Sequence, residues 1–584
     1  MEQLWLSQRA GVNVPPAYFS ESSPGHWSEH LLARQPAAFQ VLGSQYWALS
    51  VHTSRGHYRH VPWHIRRNFA AISHSSLRVN CTRTDERQRP ATSTRRSFNT
   101  VVSQKDTPTL VNAKVREMAD VAQQPRQKFD RSIVEGPIGR AVWRLAWPTM
   151  LQNVIAGLQG IIDHVMVGHF VGYTANAAIG VSWQIIIVVI VFISSLFTGM
   201  AVLVARFAGA NEPEKVNRVV YQAFLTSFAL SVLLATIGYL ASPALLGIVK
   251  AAPEVQRQAL PFLRTMFVGI FGMMMFFMLS GAFRAAGDAR TPLRLGIIMT
   301  VLTIAFNVML IPALGTLGAA LGTIASSTIV AVYGVRRLFT VGSVIQFHRG
   351  MDTSPDWAIV KSLFRFGLPA GVQGIAMNIA GVLVLRFIGS LQHSAAAQAA
   401  YAVGYSELFS LITWTSVGLM GASATIAGQN LGAGNPDRAR HGVAVAARIG
   451  LMAASVVGAI FLLIPGTLFG VFGLTEPLVA LIGQQLLRYL TVSGFFVTVA
   501  LTYTGGLQGT GDTRSPLYIS LVSQIAIPIG LCTVLQHLRG LEANDIWLAI
   551  VIGHVTRAAL SFGRFRQGKW RRIAVDLGTS KAPV

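Results

Sequence analysis

The stretch RLAWPTMLQNVIAGLQGIIDHVMVG, residues 144–168, decides the fold. It has the length of one membrane span, which needs roughly 20 mostly apolar residues. At about 100° per residue, Gln152, Gln159 and Asp163 fall within roughly 60° of one another on one helical face. A carboxylate inside a span costs several kcal/mol unless it faces a bundle interior or water, so Asp163 is a candidate functional residue. The same opening recurs further along the chain as RFGLPAGVQ, residues 365–373, and that recurrence lacks the acid.

The chain around it is membrane-like in composition. Of 584 residues, 52% are hydrophobic and 12% charged, with a mean hydropathy of +0.48. Soluble domains average about 25% charged residues, so the composition reads as an integral membrane protein. A net charge of +24 invites nucleic acid as a partner. Most of that charge, however, flanks apolar spans, as loop charge on the cytoplasmic side does, and nucleic acid is not expected. Cys81 and Cys532 are far apart, and neither has His or Cys partners at metal-site spacing. No cofactor, metal or catalytic motif stands out, so an enzyme is not expected.

Residues 1–131 differ in kind and are expected to form a disordered basic extension. The start MEQLWLSQRAG has no apolar core of a signal peptide. Residues 55–96 are rich in Arg, His and Ser without sustained periodicity. An organellar transit peptide would share that composition. A folded nucleic-acid module would bring a motif that is missing here.

From residue 132 onward twelve apolar runs follow, the first over 142–167 and the last over 546–563. All are too long for barrel strands, so the expected fold is an all-α bundle of twelve transmembrane helices. Lys and Arg concentrate in alternate loops, among them Arg206, Arg284, Arg290, Arg336, Arg438, Arg514 and the tail from Arg564. By the positive-inside rule both termini are cytoplasmic, as an even number of spans requires, in a cell inner (plasma) membrane protein.

An internal repeat organises these spans. RLAWPTMLQ (144–152) aligns with RFGLPAGVQ (365–373), ARFAGANEPEKVNR (205–218) with GQNLGAGNPDRAR (428–440), and FRAAGDARTPLR (283–294) with LQGTGDTRSPLY (507–518). Pro148 falls on Pro369, Pro213 on Pro436 and Asp288 on Asp512, at offsets of 221, 223 and 224. The chain therefore duplicates a six-helix unit, over 132–345 and 346–584, joined by a linker at 338–357. Because six is even, the repeats are parallel, which puts a substrate cavity at their interface. The GDAR and GDTR loops read as turns, with Gly supplying the bend and Pro292 or Pro516 suiting the next first turn.

These residues carry a resemblance. WPTMLQ and LPAGVQ opening the two halves, IIDHVMVGH (161–169), AGQNLGAGNPDRA (427–439) and the paired GDAR and GDTR loops are together similar to the multidrug and toxic compound extrusion (MATE) family. The likeness covers about 132–570, and YAVGYSELF (401–409) resembles the branch related to DNA-damage-inducible efflux proteins. It implies two pseudo-symmetric lobes around a central cavity, and export of organic, often cationic, compounds in exchange for protons or sodium ions. The family's helix-1 acid falls on Asp163 and its helix-5 Asn on Asn307. Acids that some branches carry four residues after that Asn and eight after the second Pro are replaced by Ile311 and Met377.

Asp163 is accordingly the expected ion-coupling residue, with Asn307 and Gln159 beside it, the proton being favoured over sodium. Glu407, the other acid deep in a predicted span, could neutralise a cationic substrate or pair with Arg386. Gln152, Gln184, Trp183, Gln373, Trp414 and Met377 are candidates for the substrate cavity, as is the methionine cluster at 273–278. Aromatic faces attract organic cations, and methionine adapts to varied ligands. The expected partners are small organic substrates and the lipid bilayer, with the chain acting as a monomer. A flippase for polyprenyl-linked lipids would favour several basic residues in the cavity. A receptor or channel without transport would have little use for a symmetric repeat bearing an off-centre acid.

Overall fold

The computed structural model describes residues 129–249, 252–340, 342–348, 350–474 and 476–575. The basic extension as far as residue 128, expected to be disordered, lies outside the described residues. Within them the secondary structure is helical and no strand occurs. The N-terminal lobe comprises α1 (Ile138–Phe170), α2 (Tyr173–Gly209), α3 (Pro213–Ile248), α4 (Pro253–Val268), α5 (Ile270–Ala285), α6 (Arg290–Leu314) and α7 (Thr316–Leu338). The C-terminal lobe begins with α8 (Trp357–Gly389), α9 (Ser394–Tyr401), α10 (Ser410–Gly432), α11 (Pro436–Leu463) and α12 (Pro465–Val471). It continues with α13 (Pro477–Gly509), α14 (Arg514–Ser520), α15 (Ile527–Leu538) and α16 (Ala543–Arg566).

Among the described residues ten helical spans are long and apolar enough to cross a membrane, and the pair α4–α5, bent by 52°, makes an eleventh. The bend falls at Gly269, which packs against Ile324. α1 completes the expected twelve by length: at about 1.5 Å per residue its 33 residues cross a bilayer with turns to spare. Its apolar character is diluted by Gln152, Gln159, Asp163 and His164, the residues that make it interesting. Two spans of the C-terminal lobe are interrupted where the apolar runs looked continuous. A π-helical segment, Ala402–Leu408, joins α9 to α10, and a second, Leu521–Ala526, joins α14 to α15. The outer faces are apolar, as lipid requires: Leu240, Ile248, Met309 and Leu463 are each at least 70% exposed.

The lobes meet in a pseudo-twofold pattern. The repeat maps α1 on α8, α2 on α10 and α3 on α11. α1 packs on α10 and α11 of the other lobe, and α8 packs on α2 and α3 in the equivalent way. The crossings are close. A Cβ on Gly209 would lie 1.9 Å from the Gln429 carbonyl oxygen, and one on Gly432 would lie 2.0 Å from that of Arg206. These two glycines occupy equivalent positions in the repeat, so each lobe presents bare backbone to the other.

The GDAR and GDTR loops are turns, as their composition predicts, and their Asp does more than bend the chain. Gly287 and Gly511 take φ of +100° and +96°. Asp288 then accepts from the backbone N–H groups of Arg290 and Thr291, both at 3.0 Å, and caps α6. Asp512 accepts from the Ser515 N–H at 3.2 Å and pairs with Arg564 at 2.9 Å, tying the start of α14 to α16.

On this Arg-rich face each lobe also reaches across to the other. The carbonyls of Ile133 and Gly136, which precede α1, accept from the Arg438 guanidinium of α11, and Ile133 accepts from Asn430 at 3.3 Å. Reciprocally, the segment after α16 returns to the N-terminal lobe, where Arg206 donates to the Ile573 carbonyl at 2.9 Å. The linker is pinned as well. Arg218 of α3 pairs with Asp352 and Asp356, each at 3.0 Å, and Asp356 caps α8 by accepting from Ala358 and Ile359. The hydroxyl and N–H of Ser354 hold the Asp352 carboxyl below its ordinary pKa.

Candidate functional site

α1 delivers Gln152, Gln159 and Asp163 to the interior of the N-terminal half, where α6 supplies the partner. Asn307 is 1% exposed and donates from Nδ2 to Asp163 Oδ1 at 2.9 Å. Its Oδ1 is buried without a hydrogen-bond partner, turned toward Gly322 of α7. Gln159 Oε1 accepts from the Thr300 hydroxyl at 2.7 Å, and the Thr303 hydroxyl is spent on the Met299 carbonyl at 2.8 Å. Asp163 therefore faces an amide donor, with the Thr303 hydroxyl in the lining of the same cavity. His164 also lines the cavity that holds Asp163, and its Nδ1 meets Asn176 Oδ1 of α2 at 2.7 Å.

Two cavities adjoin these residues. One, of about 290 Å³, lies within the N-terminal lobe and is lined by Asp163, Asn307, Trp183, Met266 and Met273. The other, of about 370 Å³, lies between the lobes and is lined by Gln152, Arg284, Thr300, Met420 and Gln508. They share Ala156, Phe276, Phe277 and Met299 as a common wall. Within it Phe276 and Phe277 meet edge to face, with centroids 5.6 Å apart. The Thr300–Gln159 hydrogen bond crosses this wall, because Thr300 lines the interlobe cavity and Gln159 the inner one.

The remaining candidates are distributed unevenly. Trp183 lines the inner cavity and Gln152 the interlobe one. Gln373 sits one layer behind: Gln508, which lines the interlobe cavity, donates to it at 3.2 Å, and it donates in turn to Ser520 at 2.8 Å. The Trp414 ring covers Gly157 of α1 at the lobe interface, outside both cavities. Exposed Gln184 and half-buried Met377 line neither cavity. Glu407 lies in the first π-helical segment, half-buried and away from both, and among the described residues no ion pair joins it to Arg386. Of the methionine cluster, Met273 reaches the inner cavity, whereas Met274, Met275 and Met278 are core.

The C-terminal lobe has no acid to match Asp163, whose counterpart at offset 221 is the buried Val384. Its interior carries an aromatic stack instead, with Tyr401 parallel to Tyr405 at 4.9 Å and to Trp547 at 5.9 Å. Sequence reading passed over Arg284, Ser280 and Thr300. Arg284 was counted with the loop charges because it closes an apolar run. It lies in the last turn of α5, and its side chain turns inward to the interlobe cavity. Among the described residues no group of three or more His, Cys, Asp or Glu could hold a metal ion.

The family described as MatE matches residues 148–309 and 369–534, one copy in each lobe. The chain is 26% identical over 448 residues to a probable multidrug resistance protein NorM of Thermotoga maritima, covering 75% of this chain and 94% of that protein. The multidrug resistance protein MdtK of Pectobacterium atrosepticum is 25% identical, over 73% of this chain and 95% of its own. A solved outward-facing multidrug resistance MATE family transporter shares the fold at a TM-score of 0.71 and 21% identity, covering 76% of this chain and 100% of that one. With the family matched in both halves and the fold of its helical spans shared with a solved member, this chain belongs to the MATE family of multi-pass membrane transporters.

Proposed function

We propose that the protein is a secondary active exporter of small organic compounds that exchanges its substrate for protons. The carrying observation is the Asp163–Asn307 hydrogen bond at 2.9 Å, set in a cavity that shares a wall with the interlobe cavity. An acid inside a span is costly unless it has a task, and here it can take up and release a proton. Sodium would demand several oxygen ligands, and Asn307 meets Asp163 with its nitrogen rather than its oxygen. Substrate enters between the lobes, proton loading occurs in the N-terminal lobe, and the wall of Phe276 and Phe277 senses both. An antiporter needs each ligand to bias the same two-state element, and a wall touched from both sides meets that requirement. The relatives named for multidrug resistance support an organic substrate. One chain supplies both sides of the interlobe cavity, so a monomer suffices. A flippase for polyprenyl-linked lipids would want several basic residues there, and the lining offers Arg284 alone.

Reconstituted proteoliposomes with an imposed pH gradient or an imposed sodium gradient test the reading. Substrate efflux driven by the pH gradient is expected. Efflux driven by sodium at constant pH would replace the proton with sodium, and movement under neither gradient would sink the antiport reading.

A further inference from the structure

Arg284 is an uncompensated cation in the interlobe cavity. Among the described residues no carboxylate pairs with it and no acceptor takes a hydrogen bond from any of its guanidinium nitrogens. Nε is wholly buried without a partner. It is the single ionisable residue in the lining of that cavity. A guanidinium keeps its charge under all physiological conditions, and a buried charge left unpaired costs several kcal/mol. Arg284 as a whole is half-buried, so its guanidinium stays open to the cavity, where an anion can reach it.

The surroundings are arranged for one. The hydroxyl of Ser280, one turn before Arg284 and 2% exposed, has no hydrogen-bond partner and is free to donate to an anion. It lines the cavity beside Arg284. Across the lobe boundary Gly421 of α10 leaves room for the guanidinium, since a Cβ there would lie 2.8 Å from Nη1. The head group thus lies against the second lobe, and the cavity sets an apolar wall of Phe197, Phe277, Val417 and Met420 beside polar side chains such as Asn153, Thr198 and Gln508. Carboxylates and sulfonates match the planar fork of arginine, and an apolar body suits the wall of Phe197, Phe277 and Met420. A volume of about 370 Å³ is that of a small-ligand pocket.

We propose that the interlobe cavity binds organic monoanions, with the carboxylate or sulfonate seated on Arg284 and Ser280 and an apolar body against Phe197, Phe277 and Met420. The proposal rests on the reading of this cavity as the substrate site of the exporter, and it narrows the substrate class from organic compounds at large to anions. Bound substrate neutralises the one charge in the interlobe cavity, which lies against Gly421, so an anion also stabilises the apposition of α5 and α10.

Isothermal titration of the purified full-length protein in detergent with 1-naphthoate, neutral 1-naphthamide and the cation tetraethylammonium tests it. Wild type is expected to bind 1-naphthoate at least tenfold more tightly than either of the others. Arg284→Met should lose that preference and keep the weak binding of the amide, and Arg284→Lys, which keeps the charge without the fork, should fall between. Lys keeps the fold even if the Met variant fails, so one of the two always reports. Equal affinity for naphthoate and naphthamide in wild type, tighter binding of the cation, or undiminished naphthoate affinity in the variants would each overturn the proposal. Anion binding that depends on Arg284, together with no gradient-driven efflux from proteoliposomes, would sustain the site and refute the exporter reading.

Discussion

At the scale of single residues, the pair of Asp163 and Asn307 explains why one acid is tolerated in the first span. The amide donor meets the carboxylate at 2.9 Å, and a hydrogen bond to a charged group is worth about 1.5–3 kcal/mol. Asp163→Asn keeps the size of the side chain and removes the titratable proton, so it should insert, fold and lose export driven by a pH gradient. Asn307→Leu leaves the acid in place without its donor, and export should fall by about tenfold, the equivalent of roughly 1.4 kcal/mol. Efflux rates from proteoliposomes at matched protein content check both. Export by the Asp163→Asn protein at the wild-type rate would remove this residue from the mechanism and turn attention to Glu407.

At the scale of elements, the crossing of α2 and α10 depends on two glycines that face each other's helix. Any side chain on Gly209 or Gly432 meets backbone at about 2 Å, and backbone has no rotamer with which to give way. Gly209→Val and Gly432→Val should each destabilise the protein by about 1–3 kcal/mol, the usual cost of overpacking, visible as a lower midpoint of thermal unfolding in detergent. Gly180→Ala serves as the control, since nothing lies within 4 Å of a Cβ there. The entry to α8 offers a gentler case. Asp356 caps that helix and pairs with Arg218, so Asp356→Ala should cost about 1 kcal/mol in the same assay while Lys361→Ala should not.

At the scale of the whole molecule, the lobes are fastened on the Arg-rich face by reciprocal straps. The segment before α1 is held by Arg438 of the C-terminal lobe, and the segment after α16 by Arg206 of the N-terminal lobe. The alternating access we propose, by rocking of the two lobes about their interface, would have to release both. In the double variant Arg206→Ala with Arg438→Ala, spin labels at the exposed positions Lys215 and Arg440 should show a longer, broader distance distribution than in wild type. An unchanged distribution would mean that the crossings of α1, α2, α8 and α10 hold the face shut unaided. The same face carries the loop arginines, so we place it in the cytoplasm. A reporter fused after Val584 should then be active in the cytoplasm, and activity on the opposite side alone would reverse the assignment.

Much of this was legible in one dimension. Spans declare themselves by runs of apolar residues, because every backbone polar group in lipid must be satisfied within its own helix. The duplication showed in Pro148 and Pro369, Pro213 and Pro436, Asp288 and Asp512, since repeated turns need the same residues at the same spacing. Asp163 stood out because a charge inside a span is expensive wherever the helix ends up. Only the tertiary structure decided which groups share a space. Arg284 looked like loop charge until α5 and α10 met around it, and Gln373 looked like cavity lining until Gln508 came between. The straps join residues far apart in the chain, Arg438 and Gly136 at a separation of 302 and Arg206 and Ile573 at one of 367. No local period records such distances; they follow from how two copies of one six-helix unit fit face to face.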